Sequence, residues 1–350
     1  MTRRPSRLRV VALCSIIALA LPVAGCGTDA PASPEARPSR SGAAEASSTP
    51  TPEASGSATV SEPDPTYSLP AIAAKAPDAG DLVVLRDAGS TTRYTREAVS
   101  YRSDGLTITG VLLRPRGTGP FPAVVIVHGR VPIKSYRTGG GLEREQDALV
   151  AAGYVVFQSD LRGHAGSDPL GPFDQQTMVG YSRDVINALA TLRTQEYVDR
   201  DRVGVLGRSM GGGITMNVLT THPELARAAV LLSPISSSFA QARALLASLG
   251  RPADRDSIPV EFGTQEANPA FYRNLSPRTY FSKITASVLI QHGTADPVCP
   301  LVWSQTTLGA LRTAGVDADL ELYEGERHIF DARQAQAIQN AVTYFDRQLG

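Results

Sequence analysis

Cysteine is scarce in this chain: three in 350 residues, with Cys14 and Cys26 close to the start and Cys299 alone in the remainder. No disulfide can therefore form within the body of the protein, and its core has to hold it together unaided. A 37.0 kDa chain with 42% hydrophobic residues has the capacity for that. Net charge is also missing, with 34 basic residues against 34 acidic ones. Nothing here offers the basic surface that nucleic acid requires. The 5 histidines and Cys299 show no close paired spacing of the kind zinc ligands use. Nor does a Gly-rich loop run into a lysine to cradle phosphate, so the sequence calls for neither metal nor cofactor. Aromatic residues make up 6%, and the single Trp303 gives no sign of a sugar-stacking platform.

The N-terminus is better supplied. Arg3, Arg4, Arg7 and Arg9 precede an almost unbroken apolar run from Val10 to Ala20, which Leu21-Pro22-Val23-Ala24-Gly25-Cys26 then ends. The run is too short to span a bilayer comfortably and reads as a signal peptide over residues 1–25. Val23-Ala24-Gly25-Cys26 resembles the bacterial lipobox. That resemblance implies a lipid on the Cys26 thiol, an extracytoplasmic location and anchorage to the outer face of the cell membrane. Loss of the four signal arginines leaves 30 basic against 34 acidic residues. Residues 26–80 are a mix of Ala, Pro, Ser, Thr and Glu that buries too little apolar surface to offset its conformational entropy, and they read as a disordered tether.

Beyond Asp81 short β-rich runs alternate with helical segments, the pattern of an α/β fold with a mostly parallel, doubly wound sheet. A hairpin is expected around Asp104-Gly105, then buried strands at Pro122 to His128, Tyr154 to Gln158, Val203 to Leu206, Ala228 to Leu232 and Ser287 to Gln291, and a last strand at Leu320 to Tyr323. The interval of about 233–283 is longer than a normal crossover and predicts a small cap, in which Phe239, Phe262, Phe271 and Tyr272 suggest an apolar lining. Residues 81–350 form one domain on this reading.

Gly207-Arg208-Ser209-Met210-Gly211 stands between a buried strand and a helix. A serine on that sharp turn exposes its Oγ, and Gly207 and Gly211 let neighbouring backbones approach. Serine needs a positioned base, which His328 offers in the loop after the last strand. Asp296, after the penultimate strand, is placed to hold the imidazole tautomer. Glu326 is a rival by proximity in sequence, but residues two apart on a tight loop seldom meet well. Asp160 and His164 read as structural, and Arg208 as either a receiver of a substrate carboxylate or the partner of an acid.

Together with Val127-His128-Gly129, Ser159 to Ser167, Leu289 to Asp296 and Gly325 to Phe330, the elbow resembles the α/β-hydrolase superfamily, in its dienelactone-hydrolase-like and prolyl-oligopeptidase-like (S9) branches. The resemblance implies an α/β-hydrolase fold and a Ser209, Asp296, His328 triad. It also implies an oxyanion hole from the Met210 N–H and one N–H of Gly129-Arg130-Val131, taken as that of Arg130. The expected reaction is hydrolysis of a small-molecule or envelope carboxylic ester through an acyl-enzyme on Ser209. An S9-like peptidase, an envelope acyltransferase and a non-catalytic binding lipoprotein are the alternatives. The peptidase ranks lower because the resembling peptidases carry a propeller domain, where this sequence has only the tether.

Overall fold

A computed structural model describes residues 66–248 and 257–350, the backbone alone over 245–248. The signal peptide, Cys26 and the tether up to residue 65 lie outside the described residues. The described elements begin with a short helix α1 (Leu69–Ala74) and strand β1 (Val83–Asp87), followed by β2 (Tyr94–Ser103) and β3 (Leu106–Pro115). Asp104 and Gly105 carry the hairpin turn with φ of 52° and 86°. Two successive positive φ values match the right-handed twist of the flanking strands. Then come β4 (Phe121–Val127), α2 (Glu143–Ala151), β5 (Val155–Ser159), α3 (Asp174–Thr177), α4 (Val179–Arg193) and β6 (Val198–Arg208). The second half runs through α5 (Met210–Thr221), β7 (Ala228–Leu232), α6 (Phe239–Ser248), α7 (Ser257–Phe262), α8 (Pro269–Asn274), β8 (Ser287–Gly293), α9 (Leu301–Thr313), β9 (Ala318–Tyr323) and α10 (Gln334–Leu349).

Among the described residues the strands form one sheet in the order β1-β2-β3-β5-β4-β6-β7-β8-β9. The first three pair antiparallel, β3 joins β5 antiparallel, and from β5 to β9 every pair is parallel. Parallel strands buried on both faces read as continuous apolar runs, and successive side chains alternate between the faces. In β4, Val125 and Val127 join one core with α4 and α5, while Val124 and Ile126 join a second with α2 and α10. Phe345 of α10 packs so closely that a side chain at Gly204 of β6 would meet its ring at 2.6 Å.

Two elements depart from the sequence reading. The tether was expected to reach residue 80, yet Leu69 and Ile72 of α1 are buried in the first core. Their spacing of three puts both on one helical face, and the Ser68 hydroxyl caps the helix by accepting from the Ala71 N–H at 3.1 Å. The cap holds α6, α7, α8 and the 3₁₀ turn Pro277–Lys283. Its aromatic residues mostly pack on one another: Phe262 stacks on Phe271 with centroids 4.5 Å apart and meets Phe173 at 4.9 Å. Of the four expected as pocket lining, Phe239 alone lines the catalytic cavity described below.

Candidate active site

The parallel strands end at one edge of the sheet, where the loops after β6, β8 and β9 gather. Ser209 follows β6 directly, with φ 56° and ψ −115°, and α5 starts at the next residue. The turn is held from its neighbours: the Ser209 N–H donates to Leu232 O at 2.9 Å and Ser209 O accepts from Ile235 N–H at 3.2 Å. It is also crowded. A Cβ on Gly207 would lie 2.3 Å from Gly211 O, and one on Gly211 would lie 2.1 Å from Val127 O. Both positions therefore exclude any side chain.

The β8 and β9 loops are zipped together. Gly293 ends β8 against the chain at Glu326, where a Cβ would meet Glu326 O at 2.2 Å. The Ala295 N–H donates to Glu326 O at 3.0 Å and the Gly325 N–H to Thr294 Oγ1 at 2.9 Å. This clasp brings Asp296 to His328, whose Nδ1 lies 2.7 Å from Asp296 Oδ2. The other carboxylate oxygen accepts from the Val298 and Cys299 N–H groups at 2.7 and 3.0 Å. Burial opposes ionisation of Asp296, but the hydrogen bonds from His328 and these two amides hold its carboxyl below the usual value. Glu326 turns elsewhere, its Oε2 accepting from the Ala332 N–H at 3.1 Å.

Ser209 and His328 line one cavity of about 390 Å³ together with Gly129, Arg130 and Met210. Among the described residues no hydrogen bond joins Ser209 to His328; Cys299 lines the same cavity. Catalytic hydrogen bonds are commonly loose before substrate binds. The Met210 N–H opens α5 and so has no acceptor within its own helix. Gly129 sits against the elbow, a Cβ there falling 3.3 Å from Ser209 Cβ. His128 is fully buried, and its Nδ1 lies 2.7 Å from Gly129 O. In a trans peptide the Gly129 carbonyl and the Arg130 N–H point in opposite directions. Holding that carbonyl therefore fixes the direction of the Arg130 N–H.

Two residues that shape the site, His292 and Glu145, were not singled out from the sequence. His292 is buried beneath Asp296, with Nε2 2.9 Å from Cys299 O and 3.4 Å from Asp296 Oδ2. Burial lowers its pKa and so favours the neutral ring; in that form Nε2 carries the proton, because a carbonyl only accepts, and Nδ1 accepts from Ser304 at 2.7 Å. Glu145 of α2 takes up Arg208, which settles the choice left open for that residue in favour of an acid partner. Asp160 is structural, accepting from the Tyr136 hydroxyl at 3.0 Å, the Gly139 N–H at 2.8 Å and Thr109 at 2.6 Å. His164 packs edge-on to His128 and Tyr136, beside the same loop. Trp303 lines the cavity wall. Among the described residues no group of three or more His, Cys, Asp and Glu is placed to hold a metal.

An α/β-hydrolase sheet with a serine elbow, and an Asp–His pair on the loops beside it, defines a serine-hydrolase scaffold. The sequence model of the prolyl oligopeptidase family matches residues 142–350, and the chain belongs to that family. Dipeptidyl peptidase 8 of Mus musculus is 27% identical over 256 residues, covering 70% of this chain and 28% of that protein. The acylamino-acid-releasing enzyme of Homo sapiens is 27% identical over 271 residues, covering 73% of this chain and 35% of the enzyme. The chain thus spans about a third of the length of these curated relatives. Acetyl xylan esterase 1 of a Thermoanaerobacterium species shares the fold, with a TM-score of 0.63 at 19% identity over 83% of this chain and 95% of the esterase.

Proposed function

We propose that this serine hydrolase cleaves carboxylic esters, with Ser209 as nucleophile, His328 as base and Asp296 orienting and stabilising the imidazolium. The observation that carries this reading is the 2.7 Å Asp296–His328 contact on the cavity that also holds Ser209. Ser209 Oγ attacks the ester carbonyl as its proton passes to His328 Nε2. The resulting oxyanion is met by the Met210 and Arg130 N–H groups. Collapse expels the alcohol, which takes the proton from His328, and water then repeats the sequence on the acyl-enzyme.

Apolar residues such as Met178, Ile235 and Trp303 supply a wall for the acyl group. Among the described residues that line the cavity there is no Asp or Glu to meet the ammonium of a free peptide N-terminus. This supports an ester over a peptide with a free N-terminus. The second reading, a peptidase, is favoured by the family and by the names of the relatives, which include a dipeptidyl peptidase and an acylamino-acid-releasing enzyme. Short p-nitrophenyl esters compared with free and N-acylated aminoacyl-p-nitroanilides decide between them. The ester reading expects higher kcat/KM on the esters by an order of magnitude or more, and faster turnover of anilides would replace it with the peptidase.

In the same reading Cys26 carries the lipid that anchors the enzyme outside the cytoplasmic membrane, with residues 26–65 as the spacer. Cys26→Ser is expected to abolish incorporation of labelled fatty acid and to shift the protein from the membrane to the soluble fraction. Unchanged membrane retention would remove the anchor from the account.

A further inference from the structure

The carboxylate of Asp296 stands between two imidazoles. His328 Nδ1 lies 2.7 Å from its Oδ2, and Nε2 of the fully buried His292 lies 3.4 Å from the same oxygen. His328 lines the cavity and His292 does not. We propose that His292 is a positioning residue for the reaction: it touches no substrate and acts on the rate by holding the loop that carries Asp296. This rests on the triad given above and adds a support behind its acid.

The loop runs Asp296-Pro297-Val298-Cys299-Pro300, and its two prolines bring no N–H. Its three amides are all used locally. The Asp296 N–H donates to Gly293 O at 3.2 Å, while those of Val298 and Cys299 hold Asp296 Oδ1 at 2.7 and 3.0 Å. Pro300 leaves the Cys299 carbonyl as the one polar group of its peptide, and a buried carbonyl needs a donor. His292 of β8 supplies it, with Nε2 at 2.9 Å. Ser304 in the first turn of α9, as fully buried as His292, donates to Nδ1 at 2.7 Å and so keeps the proton of the neutral ring on Nε2, facing that carbonyl. The 3.4 Å approach to Asp296 Oδ2 is longer than a normal N–H···O bond, so the effect on the acid passes through the loop. Fixing residue 299 fixes the amide that grips Oδ1, and with it the aim of Oδ2 at His328. A histidine that only filled space would need neither the Ser304 donor nor the carbonyl acceptor.

The test uses the full chain and p-nitrophenyl butyrate, with active sites counted by fluorophosphonate labelling carried to completion. His292→Phe fills the space and removes both hydrogen bonds. It is expected to lower kcat per labelled site by roughly 10- to 100-fold, the scale of a small misplacement, while KM changes less than about twofold. His292→Gln, whose amide offers the Cys299 carbonyl a donor, should recover most of that loss. Ser304→Ala leaves the imidazole in place but frees its tautomer, and a smaller fall in kcat per site is expected. It carries the test if His292→Phe does not fold. A space-filling role would lower the number of labelled sites or the stability and leave kcat per site unchanged. That result in every variant that folds, or a loss that His292→Gln does not recover, overturns the inference alone. If the wild type turns over anilides and no ester, the ester reading falls and the same variants are read on the anilides.

Discussion

Ser209 holds φ at 56°, a conformation that costs a β-carbon-bearing residue about 1–2 kcal/mol and persists only where the surroundings enforce it. Here the enforcement comes from the Leu232 and Ile235 backbones and from glycines that admit no side chain. The three residues proposed for catalysis were legible because each sits just beyond a strand in a recognisable loop. Cys299 was not, since a lone cysteine carries no pattern. Burial, and then the Asp296 charge, push its thiol up to about 12. A folded value above the ordinary 9.0 means that the thiol's contribution to stability is complete below pH 9 and is lost as pH rises toward 12. The same shift starves the thiolate that alkylating reagents need. Iodoacetamide at pH 8 is therefore expected to modify Cys299 at least 100-fold more slowly in the native protein than in urea, as followed by peptide mass. Equal rates would show that the thiol is neither buried nor perturbed.

At the scale of elements, what mattered most was what each loop is tied to. The β8 and β9 loops carry Asp296 and His328 and share the Gly293–Glu326 clasp. The elbow after β6 is tied to α2 through Arg208 and Glu145, an ion pair 63 positions apart in sequence and buried at both ends. No local pattern announces a partner at that distance. Removing one member leaves the other charged and unpaired, so Glu145→Gln is expected to cost about 3–5 kcal/mol. Replacing both with apolar residues of similar volume should cost much less, because the pair's desolvation is then avoided as well. Urea unfolding of the two variants measures the difference, and similar losses in both would contradict it. The elements missed from the sequence have equally physical reasons. Every residue of β1 is exposed, so it shows no apolar alternation, and α1 announces itself only through Leu69 and Ile72 in an Ala- and Pro-rich context.

For the whole molecule, the α/β alternation predicted the architecture well, because parallel strands buried on both faces leave long apolar runs that few other structures produce. What the sequence could not order was the cap, whose aromatic residues read as pocket lining but serve mainly to hold α7 and α8 onto the domain. The central claim is that Ser209 is an activated nucleophile, and covalent labelling tests it most directly. A fluorophosphonate probe followed by peptide mapping is expected to place one label on Ser209. The label should be absent in Ser209→Ala, and labelling should be slowed by roughly three orders of magnitude or more in His328→Ala. A wild-type protein that folds but takes no label, or takes it at another residue, would contradict the account.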